Sequence, residues 1–157
     1  MKNCILYTTK HGSTEKAALL LKEKLKAETD IINLKKVKNP SISDYDTVIL
    51  GASIYIGKIQ KQMRKFIQEH VNELLKKNIA LFIMAGQKEK AQEALENNFS
   101  SALSEHATAK DHFGHEMILE KMSFIEKTAT KAQGVTESTS EILVGAIDLM
   151  AQKINEF

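Results

Sequence analysis

The fold is decided by the stretch Thr9-Lys10-His11-Gly12-Ser13-Thr14. An apolar run at residues 4–7 precedes this stretch, and residues 15–21 follow it with the spacing of a helix. A strand, a hydroxyl-rich turn and a helix start form a phosphate-binding arrangement, because the first N–H groups of a helix lack partners within it. Gly12 lets the backbone take φ values that other residues rarely adopt. An ordinary capped helix start is the alternative, but the position after the first strand favours a phosphorylated cofactor.

The composition indicates one domain. The chain has 157 residues, of which 43% are hydrophobic, and this is enough for one full core but not for two. We therefore expect a single domain over residues 1–157. The 22 basic and 20 acidic residues give a formal charge of +2, and this balance does not indicate nucleic acid as a partner.

Cysteine use and hydropathy bear on the compartment. Cys4 is the only cysteine and lies in the first apolar run, which excludes a disulfide within the chain and favours a core residue over a redox thiol. No run of about 18 apolar residues and no secretory leader pattern occurs. We therefore expect a soluble cytoplasmic protein without a transmembrane segment.

Apolar runs alternate with helical stretches, which is the pattern of βαβ units that build a parallel sheet. The sequence predicts strands at residues 2–8, 30–34, 47–53, 79–84 and 110–114. It predicts helices at residues 13–27, 59–77, 88–106, 117–132 and 137–157, the last capped by Thr136 or Ser138. We expect an α/β three-layer sandwich with a five-stranded parallel sheet in the order 2-1-3-4-5.

Three loops would meet at one edge of this sheet, at residues 9–14, 53–58 and 85–88. Doubly wound sheets bind ligands beyond the carboxyl ends of their strands, where the strand order reverses. A phosphate on the first loop would place a ring system between the other two loops. Tyr55 is then placed to stack on that ring; an ordinary surface tyrosine is the alternative.

Basic residues dominate the loops expected around this ring. Lys58 and Lys88 lie there with no acid close to them in the second and third loops, so we expect a positively charged ring environment. A further basic patch comprises Lys58, Lys61, Arg64 and Lys65. Such a patch is most often a solvated helix face, and it would also suit an acidic redox partner or an anionic membrane surface.

Other chemistries have weaker support. His112, His115 and Glu116 lie close in sequence, but without further converging ligands free histidines are favoured over a metal site. The P-loop and the dinucleotide-binding glycine pattern are absent, and Ser53 stands where a receiver domain needs an aspartate. Residues 51–55 lack the last glycine of a nucleophile elbow, so hydrolase chemistry has no support.

Residues 5–84 resemble the flavodoxins. The family's phosphate loop, T/S-x-T-G-x-T, is matched at Thr9, Gly12 and Thr14, and His11 stands at the position of its middle hydroxyl. Tyr55 matches the aromatic residue that often follows the third strand. Residues 44–57 are similar to the branch of the family that includes the menaquinone-dependent protoporphyrinogen IX dehydrogenase, whose segment reads G-A-S-I-x-Y-G.

The resemblance implies a flavodoxin-like domain that binds FMN non-covalently. Phosphate contacts are implied for Thr9, Lys10, His11, Gly12, Ser13 and Thr14. Contacts with the flavin ring are implied for Ser53, Ile54, Tyr55, Ile56, Gly57, Ala85, Gly86 and Gln87.

The implied function is electron transfer between a reductase and an acceptor. The alternatives are a quinone-linked dehydrogenase of the protoporphyrinogen IX type and a flavodoxin-like interaction module without flavin. The expected partner is a redox protein or a quinone, and peripheral membrane contact and the oligomeric state stay open.

Overall fold

Parallel strands form the central sheet of the computed structural model, which describes residues 1–134 and 137–157. The strands are β1 (Lys2–Thr8), β2 (Glu28–Asn33), β3 (Thr47–Ser53), β4 (Asn78–Met84) and β5 (Ala109–His112). They lie in the order β2-β1-β3-β4-β5, and each neighbouring pair is parallel. The predicted fold class, the strand order and the fifth strand are confirmed.

Helices cover both faces of the sheet. They are α1 (Ser13–Lys24), α2 (Lys61–Leu74), α3 (Ala91–Asn98), α4 (Ser101–His106), α5 (Phe124–Ala132) and α6 (Val144–Ile154). Side chains of β1 alternate between the faces, so that Ile5 packs with α1 and α6 whereas Leu6 packs with α2, α3 and α4. Burial on both faces explains why β1, β3 and β4 are nearly continuous apolar runs. Within the described residues, no helix is long and apolar enough to span a bilayer.

The helix predicted at residues 88–106 is divided in the structure. A 3-10 turn at Lys88–Lys90 leads into α3, and α4 begins anew at Ser101. Phe99 is extended, with φ −111° and ψ 144°, and its side chain is buried. The hydroxyl of Ser100 accepts a hydrogen bond from the backbone N–H of Leu103 (3.3 Å). Burial of Phe99 and capping by Ser100 therefore override the helical spacing.

Two short antiparallel strands, separated in sequence by α5, lie at the predicted starts of the last two helices. Strand β6 (Gly114–Met117) pairs with β7 (Thr139–Ile142), although helices were predicted to begin at residues 117 and 137. The prediction was wrong because these short strands are mostly polar and carry no clear apolar alternation. Gly114 has a φ of +93°, and a Cβ at this position would overlap the carbonyl oxygen of Glu141.

The last helix also starts later than predicted, at Val144. Ser138 caps no helix; its hydroxyl accepts a hydrogen bond from the backbone N–H of Leu119 (2.9 Å). Thr136, the other predicted cap, lies outside the described residues. The predicted helix at 117–132 is reduced to α5, which follows a 3-10 turn at Leu119–Lys121.

A glycine in β3 makes room for an aromatic pair beneath the site. Gly51 is opposite Phe82 in the β3–β4 register, and the ring of Phe82 stacks on Phe113 with centroids 4.6 Å apart. Phe82 and Phe113 are both fully buried. A Cβ at Gly51 would overlap the Phe82 ring, so the packing excludes any side chain there.

We expect Gly51→Ala to destabilise the protein by about 1–3 kcal/mol, the usual range for overpacking a core. Urea unfolding followed by circular dichroism measures this change. Gly145→Ala is the matched control, because a Cβ there meets no atom within 4 Å. That control should be neutral or stabilising by up to about 1 kcal/mol. Equal stability of the two variants would contradict the packing argument.

Candidate functional site

The loop between β1 and α1 has the geometry of an anion site. Gly12 precedes the first residue of α1 with a φ of 100°, which suits the absence of a side chain. Its N–H donates to the Thr9 hydroxyl (2.9 Å), and its carbonyl accepts from the Lys16 N–H (3.1 Å). These bonds close the turn and direct the start of α1 toward the loop.

Two hydroxyl residues follow in the first turn of α1. Ser13 is 7% exposed and Thr14 is fully buried. The hydroxyl oxygen of Thr14 has no hydrogen-bond partner among the described residues. A buried hydroxyl without a partner is rare and calls for an explanation, and at a helix start a bound anion supplies one.

The second loop forms a tight turn after β3. The N–H groups of Tyr55 and Lys58 donate to each other's carbonyls at 2.9 and 3.1 Å. Ile56 and Gly57 between them have φ values of 51° and 74°. Ile56 is 83% exposed, and left-handed geometry is strained for a β-branched residue. The loop thus holds two consecutive residues beside Tyr55 in the left-handed conformation, which is strained at Ile56.

Tyr55 faces the first loop. Its side chain is partly exposed, and the ammonium of Lys10 lies 3.3 Å from the centroid of its ring. This cation–π contact connects the first loop to the second.

A glutamine that sequence reasoning missed ties the ends of two strands together. The hydroxyl of Thr8 donates to Gln60 Oε1 (2.8 Å), and Gln60 Nε2 donates to the hydroxyl of Ser53 (2.7 Å). The first and second loops are therefore held at a fixed separation.

The third loop follows β4 and is held by hydrogen bonds to residues of β5 and β6. The backbone N–H of Ala85 donates to the Gly114 carbonyl (2.9 Å). The Ala85 carbonyl accepts from Nε2 of the buried His112 (3.0 Å). His112 thus positions the loop, and within the described residues no group of three metal-ligating side chains is placed to hold an ion.

These loops surround one cavity of about 860 Å³. The cavity wall includes eleven of the predicted site residues, namely Lys10, His11, Ser13, Ser53, Ile54, Tyr55, Ile56, Gly57, Ala85, Gly86 and Gln87. Thr9, Gly12 and Thr14 are not on the wall; Thr9 and Gly12 lie in the first loop, and Thr14 is buried in the first turn of α1. The structure therefore brings the three predicted loops together.

Sequence reasoning missed the opposite wall. It is built by the paired strands β6 and β7, by α5 and by the region of α3, through Lys90, Glu93, Ala94, Asn97, His115, Glu116, Met117, Met122, Glu126, Ala129, Thr130, Gln133 and Thr139. The residues from α5 and its flanks recur every three or four positions, so their spacing could have shown that one helix face turns inward.

The two lysines expected beside the ring do not line the cavity. Neither Lys58 nor Lys88 lies on the cavity wall, which instead carries two other lysines and three acids, namely Lys10, Lys90, Glu93, Glu116 and Glu126. Glu116 and Glu126 come from segments distant in sequence, so the three loops alone did not reveal them. Glu116 is bonded to Lys16 (2.6 Å), and this hydrogen bond lowers the pKa of its carboxyl.

Glu126 attaches α5 to the first loop. Its Oε2 lies 2.6 Å from His11 Nε2, and its Oε1 lies 3.2 Å from Lys10 Nζ. The Ser123 hydroxyl also donates to Oε1 (3.1 Å). Burial raises the pKa of the Glu126 carboxyl, but the hydrogen bonds from His11, Lys10 and Ser123 lower it by more, so the net pKa is below its usual value.

Cys4 takes no part in the site. It is fully buried within the sheet, as predicted for a core residue. Burial, aided by the nearby charge of Asp30, raises the pKa of its thiol to about 12, so the thiolate is scarce at neutral pH.

The sheet order and the converging loops define a doubly wound α/β protein with a cavity at the carboxyl ends of its strands, where proteins of this architecture bind ligands. The family model described as Flavodoxin domain matches residues 4–138. Because the match covers most of the chain, the chain belongs to the flavodoxin domain family.

Curated relatives are similar over part of the chain. It is 32% identical to protoporphyrinogen IX dehydrogenase [quinone] of Escherichia coli (strain K12) over 77 residues, which are 47% of this chain and 42% of that protein. It is 34% identical to a flavodoxin of Clostridium saccharobutylicum over 73 residues, which are 44% of this chain and 46% of that protein. The chain thus matches less than half the length of these relatives.

Solved flavodoxin structures share the fold. Flavodoxin of Fusobacterium nucleatum bound to flavin mononucleotide superposes with a TM-score of 0.60 at 12% identity, covering 99% of this chain and 97% of that one. Oxidised flavodoxin 1 of Bacillus cereus gives a TM-score of 0.58 at 16% identity, covering 99% and 98%. At these identities the likeness concerns the fold alone.

We expect Glu126→Ala to loosen α5, because hydrogen bonds to a charged group contribute about 1.5 kcal/mol or more. Amide hydrogen exchange of α5 should then become about tenfold faster, as read by mass spectrometry. Glu105→Ala, an exposed position on α4, is the control and should leave α5 unchanged. Unaltered exchange in Glu126→Ala would show that α5 is held by other contacts.

The same contact predicts a pH dependence. Since the folded pKa of Glu126 lies below its unfolded value of about 4.5, the contact stabilises α5 above that value and is lost as the pH falls through the folded pKa. After correction for intrinsic rates, exchange of wild type and Glu126→Ala should differ at pH 7 and converge in acid. A difference that persists below the folded pKa would assign it to packing.

Proposed function

We propose that this chain binds FMN non-covalently in the cavity and passes electrons between a reductase and an acceptor. The observation that carries the proposal is the buried, unpartnered hydroxyl of Thr14 at the start of α1. It lies behind a cavity whose volume is in the usual range for cofactor sites. Membership in the flavodoxin domain family and the fold of a flavodoxin bound to flavin mononucleotide support the same ligand.

Each loop has a role in this proposal. Residues 9–14 hold the phosphate, through the hydroxyls of Thr9, Ser13 and Thr14 and the first N–H groups of α1. Tyr55 stacks on the ring, while backbone groups of residues 54–57 and 85–87 contact its edges. FMN supplies the redox chemistry, and the protein orients it and limits water and acceptor access.

A quinone-linked dehydrogenase of the protoporphyrinogen IX type is the second candidate. The 32% identity to the Escherichia coli enzyme of that name favours it, although the match spans 42% of that enzyme. Mixing the purified, FMN-loaded protein with protoporphyrinogen and a menaquinone analogue tests it. Porphyrin formation that depends on bound FMN would replace the electron carrier with this enzyme.

A flavodoxin-like interaction module without flavin is the third candidate. Purified protein that is yellow, or that becomes yellow after incubation with FMN and gel filtration, excludes it. Protein that fails to retain FMN in both cases would overturn the proposed function.

We expect Thr14→Val to weaken FMN binding by about 1.5–3 kcal/mol, the contribution of a hydrogen bond to a charged group. Titration of the apoprotein by quenching of FMN fluorescence measures this. Riboflavin, which lacks the phosphate, should bind equally well to wild type and variant.

Thr47→Val is the matched control. Thr47 is also fully buried with an unpartnered hydroxyl, but it lies at the first residue of β3, at the opposite edge of the sheet. Its replacement should leave FMN affinity unchanged. An equal effect of both variants, or none in Thr14→Val, would remove Thr14 from the phosphate site.

A further inference from the structure

A second concave surface adjoins the cavity. We call it the basic groove and define it by its charged residues, Lys10, Lys35, Lys58, Lys61 and Arg64. Its volume is about 470 Å³, and among the residues that the structure describes no acidic side chain is part of its wall. Lys10, Tyr55 and Ile56 line both the groove and the cavity, so the groove begins at the edge of the proposed ring site.

Most of these cations are not neutralised by the chain itself. Lys35, Lys58, Lys61 and Arg64 are exposed, and across residues 1–134 and 137–157 none of them forms an ion pair. Lys10 differs, since it pairs with Glu126. Exposed charges of one sign at a concave surface focus the electrostatic potential toward solvent.

Two of the cations oppose the preference of the helix that carries them. Lys61 is the first residue of α2 and Arg64 follows in its first turn, where α2 has no acidic residue. The start of a helix carries partial positive charge, so cations there are unfavourable and acids are preferred. These charges therefore do not serve the stability of α2, which suggests a role in recognition.

The charge is also concentrated rather than spread over the chain. Residues 54–65 contain four basic residues and no acid, so they contribute +4 to a chain whose formal charge is +2. The remaining residues thus carry a formal charge of −2. Such an asymmetry orients an approaching molecule by its charge.

We propose that the basic groove docks the acidic surface of a protein redox partner and brings it to the edge of the ring site at Tyr55 and Ile56. The partner assignment rests on the proposed function, since the groove matters for electron exchange only if the cavity holds the flavin. A protein fits better than a membrane because the surface is concave and has few exposed apolar side chains that could enter a bilayer. Ile56 is the most exposed of these side chains.

The test compares two double variants with the same change in net charge. The groove variant, Lys61→Glu with Arg64→Glu, reverses two charges of the basic groove. The control variant, Lys76→Glu with Lys153→Glu, reverses two exposed charges beyond the end of α2 and in the last turn of α6. Reduced, FMN-loaded protein is mixed by stopped flow with an oxidised acidic blue-copper protein or with a basic cytochrome c. The two acceptors accept single electrons but carry opposite surface charge.

We expect the wild-type rate with the acidic acceptor to fall as salt is raised from about 20 to 500 mM, because screening weakens the attraction. The groove variant should react at least about tenfold more slowly with the acidic acceptor at low salt, and faster with cytochrome c. The control variant should change both rates far less.

A thermal unfolding measurement shows whether the groove variant is still folded. The groove variant should melt at a higher temperature than wild type, because the new acids suit the start of α2, and this excludes misfolding as the cause of a slower rate. A salt-independent rate with the acidic acceptor, or equal effects of the two double variants, would overturn the proposal. Binding to phosphatidylglycerol vesicles without salt-dependent reaction with the acidic protein would overturn it in favour of a membrane.

Failure of the proposed function can be distinguished from failure of the docking proposal. If the protein retains no FMN, the flavin proposal fails, and titration calorimetry of the acidic blue-copper protein into the flavin-free chain still tests docking. Binding that is lost in the groove variant and kept in the control supports the groove as a docking surface; absence of binding at low salt overturns it.

Discussion

The adjacency of β1 and β3 in a parallel sheet is the constraint on which the rest of the site depends. The strand order reverses between them, so the loop after β1 turns toward α1 and the loop after β3 turns toward α2 on the other face. A crevice opens where the two loops part. Gln60 bonds to Thr8 and to Ser53 and so fixes the width of this crevice. The third loop follows β4, which pairs with β3 and completes the same edge.

Charge is distributed differently on the two sides of Tyr55. The cavity side carries three carboxylates, from α3, β6 and α5. Glu116 forms an ion pair with Lys16 of α1, and Glu126 forms one with Lys10 of the first loop. The groove side carries cations without ion-pair partners among the described residues. Lys10 lies over the Tyr55 ring and belongs to both sides. Charges facing a cofactor set its potential, whereas charges facing solvent select the molecules that approach.

The first half of the chain was the more predictable half, for a physical reason. Buried parallel strands need continuous apolar runs, and these are visible at β1, β3 and β4 without any tertiary information. The pairing of β6 with β7 and the late start of α5 were misjudged because residues of these segments are held by hydrogen bonds and ion pairs to distant partners, such as Glu116 with Lys16 and Glu126 with His11. Partners a hundred or more positions away leave no local period in the sequence.

The strands of the sheet, the first loop and the place of Tyr55 after β3 follow from the sequence alone. Apolar periodicity and the placement of glycine and hydroxyl residues are local patterns that need no tertiary information. The tertiary structure was needed to show which acids line the cavity and that Gln60 fixes the distance between the first and second loops. It also decided that the hydroxyl of Thr14 is buried without a partner. Burial, charge environment and spacing are properties of several chain segments at once, and they come into existence only when the sheet brings those segments together.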